Sequence, residues 1–448
     1  MQDSILSKPR FKYNGRMNIE AQTPSVGNST QTKDVIVIGG GPAGTTAATL
    51  LAQKGWQVTL FERETHPRFH IGESLLPMNL PIFEHLGVLD QVAAAGIKKN
   101  AAVFTSPTIK AKPTRFPFAN ALADSPPHAY QIERSKLDKI LFDNSHANGV
   151  QTLEQHEVIA VSLASDGIHK LQVRDADNNI SAWQCRYVLD ASGQQSLISK
   201  QQKWRIPNSR HTASAVFAHF SGIPLNQGDG SGDINVYWFD QGWMWFIPLG
   251  DDLMSVGIVS SPDYLKTRKP SESLCDFLGN TVNKSFAARK RFKNGMQLFP
   301  AKAVSNYSYT SSQRSGEGFA LIGDAHTFID PVFSSGVYLA MSGAERVVPL
   351  VDHWLQGNRL SYTIARKRYE RAMTRAVKAF SWFIYRFTTP QMEYLFQNPR
   401  NILGVEQAVV SMLAGDVYKS NSVHLRLLVF KFIFFMAGIF GPAKRRKS

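Results

Sequence analysis

The stretch DVIVIGGGPAGTTAATLLAQKGWQVTLFER, residues 34–63, decides the fold. Residues 35–38 are a continuous apolar run typical of a central parallel strand. A glycine-rich turn follows, then a segment of helical composition and a second apolar run. This order of strand, turn, helix and strand predicts a βαβ unit. The turn has the pattern Gly39-x-Gly41-x-x-Gly44, which in this context is the fingerprint of a dinucleotide-binding unit.

Each glycine of that fingerprint has a physical role. Gly39 permits the tight turn, Gly41 lets the backbone approach a pyrophosphate, and Gly44 allows close packing of the helix. The helix N-terminus directs positive partial charge at the phosphates. Glu62, at the end of the second strand, is placed to bind ribose hydroxyls. A glycine loop without function is the alternative, which the complete context disfavours. The residues predicted to contact the cofactor here are Gly39, Gly41, Pro42, Ala43, Gly44, Glu62 and Arg63.

Three later stretches follow in the order known from one superfamily. YQIERSKLDKILFD contains Arg134 and Asp138, YVLDASGQQS contains an Asp-Ala-Ser-Gly turn, and GFALIGDAH places Gly323 and Asp324 after a strand. With the glycine turn, they resemble the FAD-dependent monooxygenase and halogenase superfamily. The resemblance implies FAD rather than NAD as cofactor. It also implies that Gly323 and Asp324 hold the ribityl chain and that Arg134 lies near the flavin.

Two further stretches narrow the resemblance to flavin-dependent halogenases. RFHIGESLLP, residues 68–77, is very similar to their segment beside the isoalloxazine ring, and GWMWFIP, residues 242–248, matches their WxWxIP motif. Tryptophan halogenases carry a substrate-orienting Glu where this chain has Phe333, a difference shared by the branch that acts on phenols and pyrroles. The implied α/β fold is p-hydroxybenzoate-hydroxylase-like. It has a Rossmann-type FAD-binding domain, an inserted β-sheet substrate domain and a C-terminal helical region.

The segment RFHIGESLLP places a carboxylate and a glycine among apolar residues. Gly72, Glu73 and Ser74 are predicted to contact the cofactor, because the glycine lets the chain bend towards the ring and the carboxylate anchors the bend or hydrogen-bonds the cofactor. An N-cap of the following helix at Ser74 is an alternative that is compatible with this role.

Three side chains are candidates for catalysis. Strand alternation places Trp243 and Trp245 on one face, as a wall that keeps an organic substrate away from the flavin, with ordinary core packing as the alternative. AAGIKKNAAVF resembles the halogenase segment that holds a lysine, which makes Lys99 the counterpart and Lys98 the alternative. Lys99 either polarises hypohalous acid as a charged donor or forms a haloamine as a neutral amine. A solvated lysine pair is the default without the resemblance.

The stretch DPVFSSGVYLA predicts an anion site. Backbone N–H groups around Ser335 and Gly336 begin a helix, and the positive end of its dipole is suited to hold chloride or bromide. The resemblance implies the same two positions.

Composition limits the domain organisation and the compartment. A chain of 448 residues with 43% hydrophobic content has enough core for two or three structural units. The two cysteines lack metal-ligand spacing, so we expect no metal site and a cytoplasmic location. Met17 is an alternative start, and no signal-peptide segment precedes the first strand. The predicted parts are a disordered leader at 1–33, an FAD-binding domain at 34–206 and 300–345, a β-rich substrate domain at 207–299 and a C-terminal helical region at 346–448.

A formal net charge of +15 predicts an anionic partner. Residues 362–387 and 405–418 each predict a helix, and the first of these is basic on one side. We expect no nucleic acid, because no recognised nucleic-acid module accompanies this basic helix. An acidic acyl or peptidyl carrier protein is one candidate; the cationic residues that would attract it are Arg366, Lys367, Arg368, Arg371 and Arg375. Peripheral contact with an anionic membrane is the other, through Arg426, Lys431, the closing KRRKS and the apolar run Leu425 to Phe440. That run is shorter than the roughly 20 residues that span a bilayer, which predicts a packed or interfacial helix.

The resemblance implies an FADH2-dependent halogenase that uses O2 and chloride or bromide on an electron-rich phenol or pyrrole in secondary metabolism, with the substrate free or tethered to a carrier protein. A single GxGxxG unit implies a separate flavin reductase, because GDGSG at 228–232 lacks the strand and helix context. The alternatives are an aromatic monooxygenase or epoxidase, a geranylgeranyl-reductase-like oxidoreductase, and a flavoprotein that only binds.

Overall fold

The computed structural model describes residues 32–107, 112–122, 124–165, 167–209, 211–250, 252–305, 307–418 and 421–440. Met17, nearly all of the predicted leader and the closing KRRKS lie outside these ranges. Lys33 already belongs to the first strand, one residue before the predicted start of the FAD-binding domain.

Strands and helices alternate through the first half of the chain, and helices dominate the last quarter. The strands are β1 (Lys33–Ile38), β2 (Val58–Phe61), β3 (Ile97–Lys99), β4 (Ala101–Thr105), β5 (Thr114–Pro117), β6 (Ala129–Gln131), β7 (Gln151–Leu153), β8 (Glu157–Ser162), β9 (His169–Arg174), β10 (Ile180–Asp190), β11 (Arg205–Pro207), β12 (Ser214–Ser221), β13 (Ile234–Phe239), β14 (Gly242–Gly250), β15 (Leu253–Ser260), β16 (Met296–Gln297), β17 (Lys302–Ser305), β18 (Tyr309–Ser311), β19 (Ser315–Gly316), β20 (Phe319–Leu321) and β21 (Thr327–Phe328). The helices are α1 (Pro42–Gln53), α2 (Leu80–Leu86), α3 (Leu89–Ala95), α4 (Arg134–Ala147), α5 (Leu197–Gln201), α6 (Pro262–Lys266), α7 (Leu274–Val282), α8 (Phe286–Phe292), α9 (Ser335–Leu355), α10 (Arg359–Ile384), α11 (Pro390–Gln397), α12 (Val405–Ala414) and α13 (Asn421–Phe440).

The first sheet contains the predicted βαβ unit, which is confirmed. Its strand order is β19-β20-β10-β1-β2-β7, and β1 pairs in parallel with both β2 and β10. Val35 and Val37 face the core shared with the helices, while Ile36 and Ile38 face a second core formed with β8, β9 and β10. Because both faces are covered, the strand is apolar at every position rather than at alternate ones.

Two close approaches around the glycine turn exclude larger side chains. A Cβ on Gly44 would lie 1.9 Å from the carbonyl oxygen of Gly39, and Gly39 itself has φ +102°. The turn at Gly323 packs against the start of α1, since a Cβ there would lie 3.2 Å from the Cβ of Ala43. The glycine turn and the turn after β20 therefore meet at the N-terminus of α1.

The second sheet has the order β16-β12-β15-β14-β13-β4-β5, with β17 also paired to β12. Strands β4 and β5, residues 101–117, come from within the stretch predicted for the first domain, and β4 pairs in parallel with β13. The chain thus enters the second sheet directly after β3, and the predicted domain limits remain a prediction. The overall fold is mixed α/β, as the sequence predicts.

The C-terminal helices contact both sheets and each other: α9 packs on β10 of the first sheet, and α11 contacts β4 of the second. Helix α10 lies along α9, and both α11 and α12 contact α13. The predicted helices at α10 and α12 are confirmed. The sequence estimate for the last helix was wrong in length: α13 begins at Asn421 and has 20 residues, of which Asn421–Ile439 are long and apolar enough to cross a membrane. Its first turns were missed because polar residues and Arg426 interrupt the apolar run.

The space for Trp245 depends on a glycine in the neighbouring strand. Trp245 pairs with Gly257 across β14 and β15, and a Cβ on Gly257 would lie 2.2 Å from the indole ring. We expect Gly257→Ala to lower the free energy of unfolding by about 1–3 kcal/mol, because the ring cannot move within a filled core. Urea denaturation of the purified protein measures this.

Gly279→Ala in α7 is the matched control, since its nearest new contact would be an ordinary 3.8 Å. Alanine favours the helix over glycine, so this variant should be neutral or more stable by about 0.5–1 kcal/mol. Equal losses in both variants would contradict the proposed indole contact.

Candidate active site

Glu62 forms the corner of a buried charge network at the glycine turn. Its Oε2 accepts the Gly40 N–H at 2.8 Å and lies 3.1 Å from Nη2 of Arg68, and its Oε1 accepts the Glu64 N–H at 2.9 Å. Burial raises the pKa of Glu62, but Arg68 and the backbone donors outweigh burial, so the pKa is lowered and the carboxylate is charged. The predicted contact of Glu62 with the ribose stays a prediction; the structure shows that Glu62 holds the turn and Arg68.

Arg68 was not identified from sequence as a site residue. Its Nη1 donates to Asp138 at 3.1 Å, and its Nη2 lies 3.9 Å from the Cβ position of Gly41, where the backbone is otherwise open. A guanidinium at this point suits a pyrophosphate. An arginine six residues after Glu62, in a largely apolar segment, was the available signal. Arg63, by contrast, is exposed and donates to Gln195 at 3.1 Å.

Arg134 fixes the segment RFHIGESLLP to helix α4. Its Nε donates to Asp138 at 2.8 Å and its Nη1 to the carbonyl of Ile71 at 3.0 Å. Gly72 has φ +105°, and a Cβ there would lie 3.1 Å from Arg134 Nη1. Glycine is therefore required both by its conformation and by the guanidinium beside it.

Glu73 is buried and only half satisfied. Its Oε1 lies 2.7 Å from Nε2 of His219 on β12, while its Oε2 has no hydrogen-bond partner among the described residues. Burial lowers the pKa of His219, but the hydrogen bond to Glu73 and the negative charges of Glu73 and Glu133 together outweigh burial, so the pKa is raised. The interpretation of Ser74 as a helix N-cap was wrong, because α2 begins at Leu80 and Ser74 instead bridges to Gln131. His219 was missed, although a histidine within the apolar run of β12 is a detectable signal.

The structure distinguishes Lys99 from Lys98 by burial. On β3 the two side chains point to opposite faces, with Lys98 exposed and Lys99 1% exposed. Lys99 Nζ donates to Ser74 Oγ and to the carbonyl of Leu75, both at 2.9 Å. Burial lowers its pKa to about 7, and Asp233 opposes this only in part. Both the charged and the neutral amine are thus populated near neutral pH.

Trp243 and Trp245 lie on the same face of β14, as predicted, with ring centroids 5.7 Å apart. This strand packs against β3, which carries Lys99. Trp245 donates to Ser255 Oγ at 3.2 Å, and Trp243 lies edge-on to Phe387. Further aromatic rings extend this wall; they are Phe104, Phe116, Trp238, Phe333 and Phe396.

The predicted halide residues lie at the N-terminus of α9, a helix of 21 residues. Ser335 is buried, and no atom lies within 4 Å of the Cβ position of Gly336, so the backbone there is open to a ligand. Asp330 Oδ1 accepts the Val332 N–H at 3.1 Å and shapes the preceding turn. Phe333, in place of an acid, is buried against Phe383 and Phe387.

Asp324 lies at the turn after β20. Burial raises the pKa of the Asp324 carboxyl to about 7, and the positive charge of Arg134 acts in the opposite direction. The carbonyl of Asp324 accepts from Tyr309 at 2.7 Å, which holds the turn in place.

The residues around the glycine turn and the segment RFHIGESLLP fit FAD. The open backbone at Gly41, the Arg68 guanidinium and the start of α1 are suited to a pyrophosphate. The unpartnered Oε2 of Glu73 is a buried acceptor that needs a donor. The predicted cofactor residues Pro42 and Ala43 form the buried first turn of α1.

Comparison with known proteins gives a consistent result. Residues 34–125 and 93–401 match the family model for tryptophan halogenase. The chain is 33% identical over 315 residues to tryptophan 2-halogenase of Chondromyces crocatus, covering 69% of this chain and 59% of that protein. It is 30% identical to 1H-pyrrole-2-carbonyl-(peptidyl-carrier protein) brominase of Pseudoalteromonas luteoviolacea, covering 72% and 78%. The chain therefore spans less than two thirds of the first of these relatives.

A solved structure shares the fold over nearly the whole chain. A flavoprotein/dehydrogenase from Cytophaga hutchinsonii superposes with a TM-score of 0.82 at 26% identity, covering 91% of this chain and 99% of that one.

The burial of Lys99 predicts a pH dependence of stability. Because its pKa is lowered to about 7 on folding, the unfolded chain binds more protons above that pH, and stability rises with pH up to the unfolded value of about 10.4. Relative to Lys99→Met, the wild type should gain up to about 1.4 kcal/mol per pH unit between about pH 7 and 9.5. Urea denaturation across this range measures the difference.

Lys98→Met is the control, because it removes the neighbouring exposed amine. Its stability should change with pH in parallel with the wild type. A Lys99→Met curve that also runs parallel to the wild type would show that Lys99 is not buried as a perturbed amine.

Proposed function

The chain belongs to the flavin-dependent halogenase family, and from this premise we propose that it is an FADH2-dependent halogenase. It uses O2 and chloride or bromide to halogenate an electron-rich phenol or pyrrole in secondary metabolism. The proposed arrangement of its two sheets is p-hydroxybenzoate-hydroxylase-like, with the cofactor held at the glycine turn and the second sheet on the substrate side.

The observation that carries this proposal is the position of Lys99. Its Nζ is bonded to Ser74 and Leu75, the residues that directly follow Glu73 on the proposed flavin side. A buried amine with a pKa of about 7 suits the handling of an electrophilic halogen, since it either donates a hydrogen bond or accepts the halogen. An aromatic hydroxylase, in which substrate meets the cofactor directly, has no need of such an amine.

In this proposal, the other predicted site residues bind the halide and separate the substrate from the cofactor. Ser335 and Gly336 hold the halide at the start of α9. Bound FADH2 with O2 supplies the oxidising power that converts halide into hypohalous acid. Trp243 and Trp245 keep the arene away from the cofactor, and Lys99 positions hypohalous acid beside the ring. The ring carbon takes the halogen as the bond between oxygen and halogen breaks, and the hydroxide released combines with the ring proton as water.

Two features support a phenol or pyrrole substrate. Phe333 leaves no acid at the place where tryptophan halogenases orient an indole, and the neighbouring wall of aromatic rings suits a flat, electron-rich ring. The similar brominase of Pseudoalteromonas luteoviolacea is named for a pyrrole carbonyl on a peptidyl carrier protein. We accordingly propose delivery of the substrate as a carrier-bound thioester.

Reducing equivalents come from a separate flavin reductase in this proposal. Among the described residues, the stretch at 228–232 forms only a short 3-10 turn, Gly228–Gly230, and not a second strand-and-helix nucleotide unit.

The activity is tested with purified protein, FAD, a flavin reductase, NADPH and a pyrrole or phenol acid. We expect a product whose mass changes with the halide supplied and which is absent without halide. Lys99→Ala should lower the halogenated product about 100-fold or more, while oxygen consumption by the reduced flavin stays within about twofold, because Lys99 acts after the halide is oxidised.

Lys98→Ala is the matched control and should retain halogenation. A hydroxylated product formed without halide would favour the monooxygenase, and full halogenation by Lys99→Ala would exclude the proposed role of the amine. Fast flavin reduction by NADPH with no reductase present would contradict the separate reductase.

Carrier delivery is tested by offering the same acid free and as a carrier-bound thioester, without lipid. We expect kcat/KM for the thioester to be about tenfold higher or more, and to fall with salt because the basic protein attracts an acidic carrier. Equal turnover of the free acid at low and high salt would remove the carrier while leaving the halogenase proposal intact.

A further inference from the structure

Helix α13 has two apolar faces, and only one is covered. Val423, Leu427, Phe430 and Phe434 repeat at helical spacing and are buried in the main core. The opposite face carries the exposed residues Leu425, Leu428, Phe432, Phe435 and Ile439, with Leu425 63% and Phe432 64% exposed. These five residues, called here the apolar stripe, extend along about 21 Å of helix. A stripe of this size is unusual for a surface in contact with water.

A row of cations on α10 lies across a groove from α13. Lys367, Arg371, Arg375 and Lys378 follow one face of α10 at spacings of four, four and three, and all are exposed. They face His424 and Lys431 of α13 across a groove of about 540 Å³. None of the four forms an ion pair with any residue that the structure describes, whereas Arg366 on the adjacent face is paired with Glu370 at 3.1 Å. Glu370 and Asp416 are the acidic residues of this groove.

Other side chains near the stripe have the composition of a membrane interface. Trp382 packs on Phe430 and Phe434, and Lys431 and Arg386 lie over its ring at 5.1 and 4.8 Å. Exposed apolar side chains also occur at Ile402 and Leu403, and the Leu403 carbonyl accepts from Arg426 at 2.9 Å. The loop therefore lies against α13 and adds to its apolar surroundings.

We propose that the apolar stripe and the cationic row together form a docking surface for an anionic lipid bilayer. The stripe enters the boundary between headgroups and acyl chains, and the row on α10 binds the anionic headgroups. The helix lies along the membrane and does not cross it, because its other face is packed into the protein core.

Competing occupants explain only part of this surface. An acidic carrier protein accounts for the cations but leaves the five exposed apolar side chains of the stripe without a role. A second copy of the chain in a two-fold contact would place this cationic surface close to its own copy, which is unfavourable. An anionic bilayer matches both the charge and the apolar area.

The test measures binding of the full chain to sedimented vesicles of phosphatidylcholine, with or without about 30% phosphatidylglycerol. Two variants are compared with the wild type: Leu428→Gln/Phe432→Gln/Phe435→Gln for the stripe and Arg371→Glu/Arg375→Glu for the row. We expect wild-type binding only with phosphatidylglycerol, and a loss of about tenfold or more in each variant. The readout needs no turnover, so it is independent of the proposed halogenation.

Two matched controls carry the same kinds of change elsewhere. Ile206→Gln/Leu298→Gln replaces exposed apolar residues, and Lys290→Glu/Lys293→Glu changes the net charge as much as the row variant does. Both should bind vesicles like the wild type, and all variants should keep the wild-type circular dichroism and melting temperature.

Three results would overturn the proposal. The first is equal binding to vesicles with and without phosphatidylglycerol. The second is wild-type binding by the stripe variant or the row variant. The third is a wild type that does not bind vesicles but has another partner. That partner is a second copy if sedimentation velocity shows a dimer that the stripe variant abolishes, and an acidic carrier if the protein retains one and the row variant abolishes this retention.

Discussion

A buried chain of alternating charges holds the cofactor cleft in shape. Asp138 accepts from both Arg68 and Arg134, and Glu62 accepts from Arg68 and from the glycine turn. Such a network stands because each charge is compensated; removal of one member of a buried pair typically costs about 3–5 kcal/mol. It joins the end of strand β2, helix α4 and the segment RFHIGESLLP, and so fixes the position of that segment relative to the first sheet.

The same segment connects the cofactor side with the second sheet. Glu73 lies against His219 of β12, and Ser74 accepts from Lys99, which ends β3 just before the chain enters that sheet. A shift of this segment on the cofactor side would therefore move the donor environment of the amine. Within one short stretch, the protein thus links the proposed cofactor side to the buried amine of Lys99.

Local patterns predicted much of this arrangement. The fingerprint of three glycines was sufficient for the βαβ unit, because backbone atoms lie where a Cβ on Gly39 or Gly44 would be, and strand periodicity placed Trp243 and Trp245 on one face. Local patterns failed where partners are distant. The pairing of Glu73 with His219 joins residues 146 positions apart, and no spacing rule links them. The N-cap expected at Ser74 was wrong because a bridge to Gln131 continues the extended chain past it.

Neighbouring residues with the same chemistry show the difference between the two levels. The lysine pair in the sequence identifies the segment but does not distinguish Lys99 from Lys98, since the two side chains are alike. The pairing of β3 with β6 buries Lys99 and leaves Lys98 in solvent, and burial lowers the pKa of the Lys99 amine. Likewise, the sequence shows that the last helix is apolar, but which of its faces is covered depends on the packing of Phe430 and Phe434 against α10. Type and spacing of residues specify secondary structure and the class of chemistry. Burial is set by contacts between distant segments, and burial decides which amine titrates near neutrality and which face remains open.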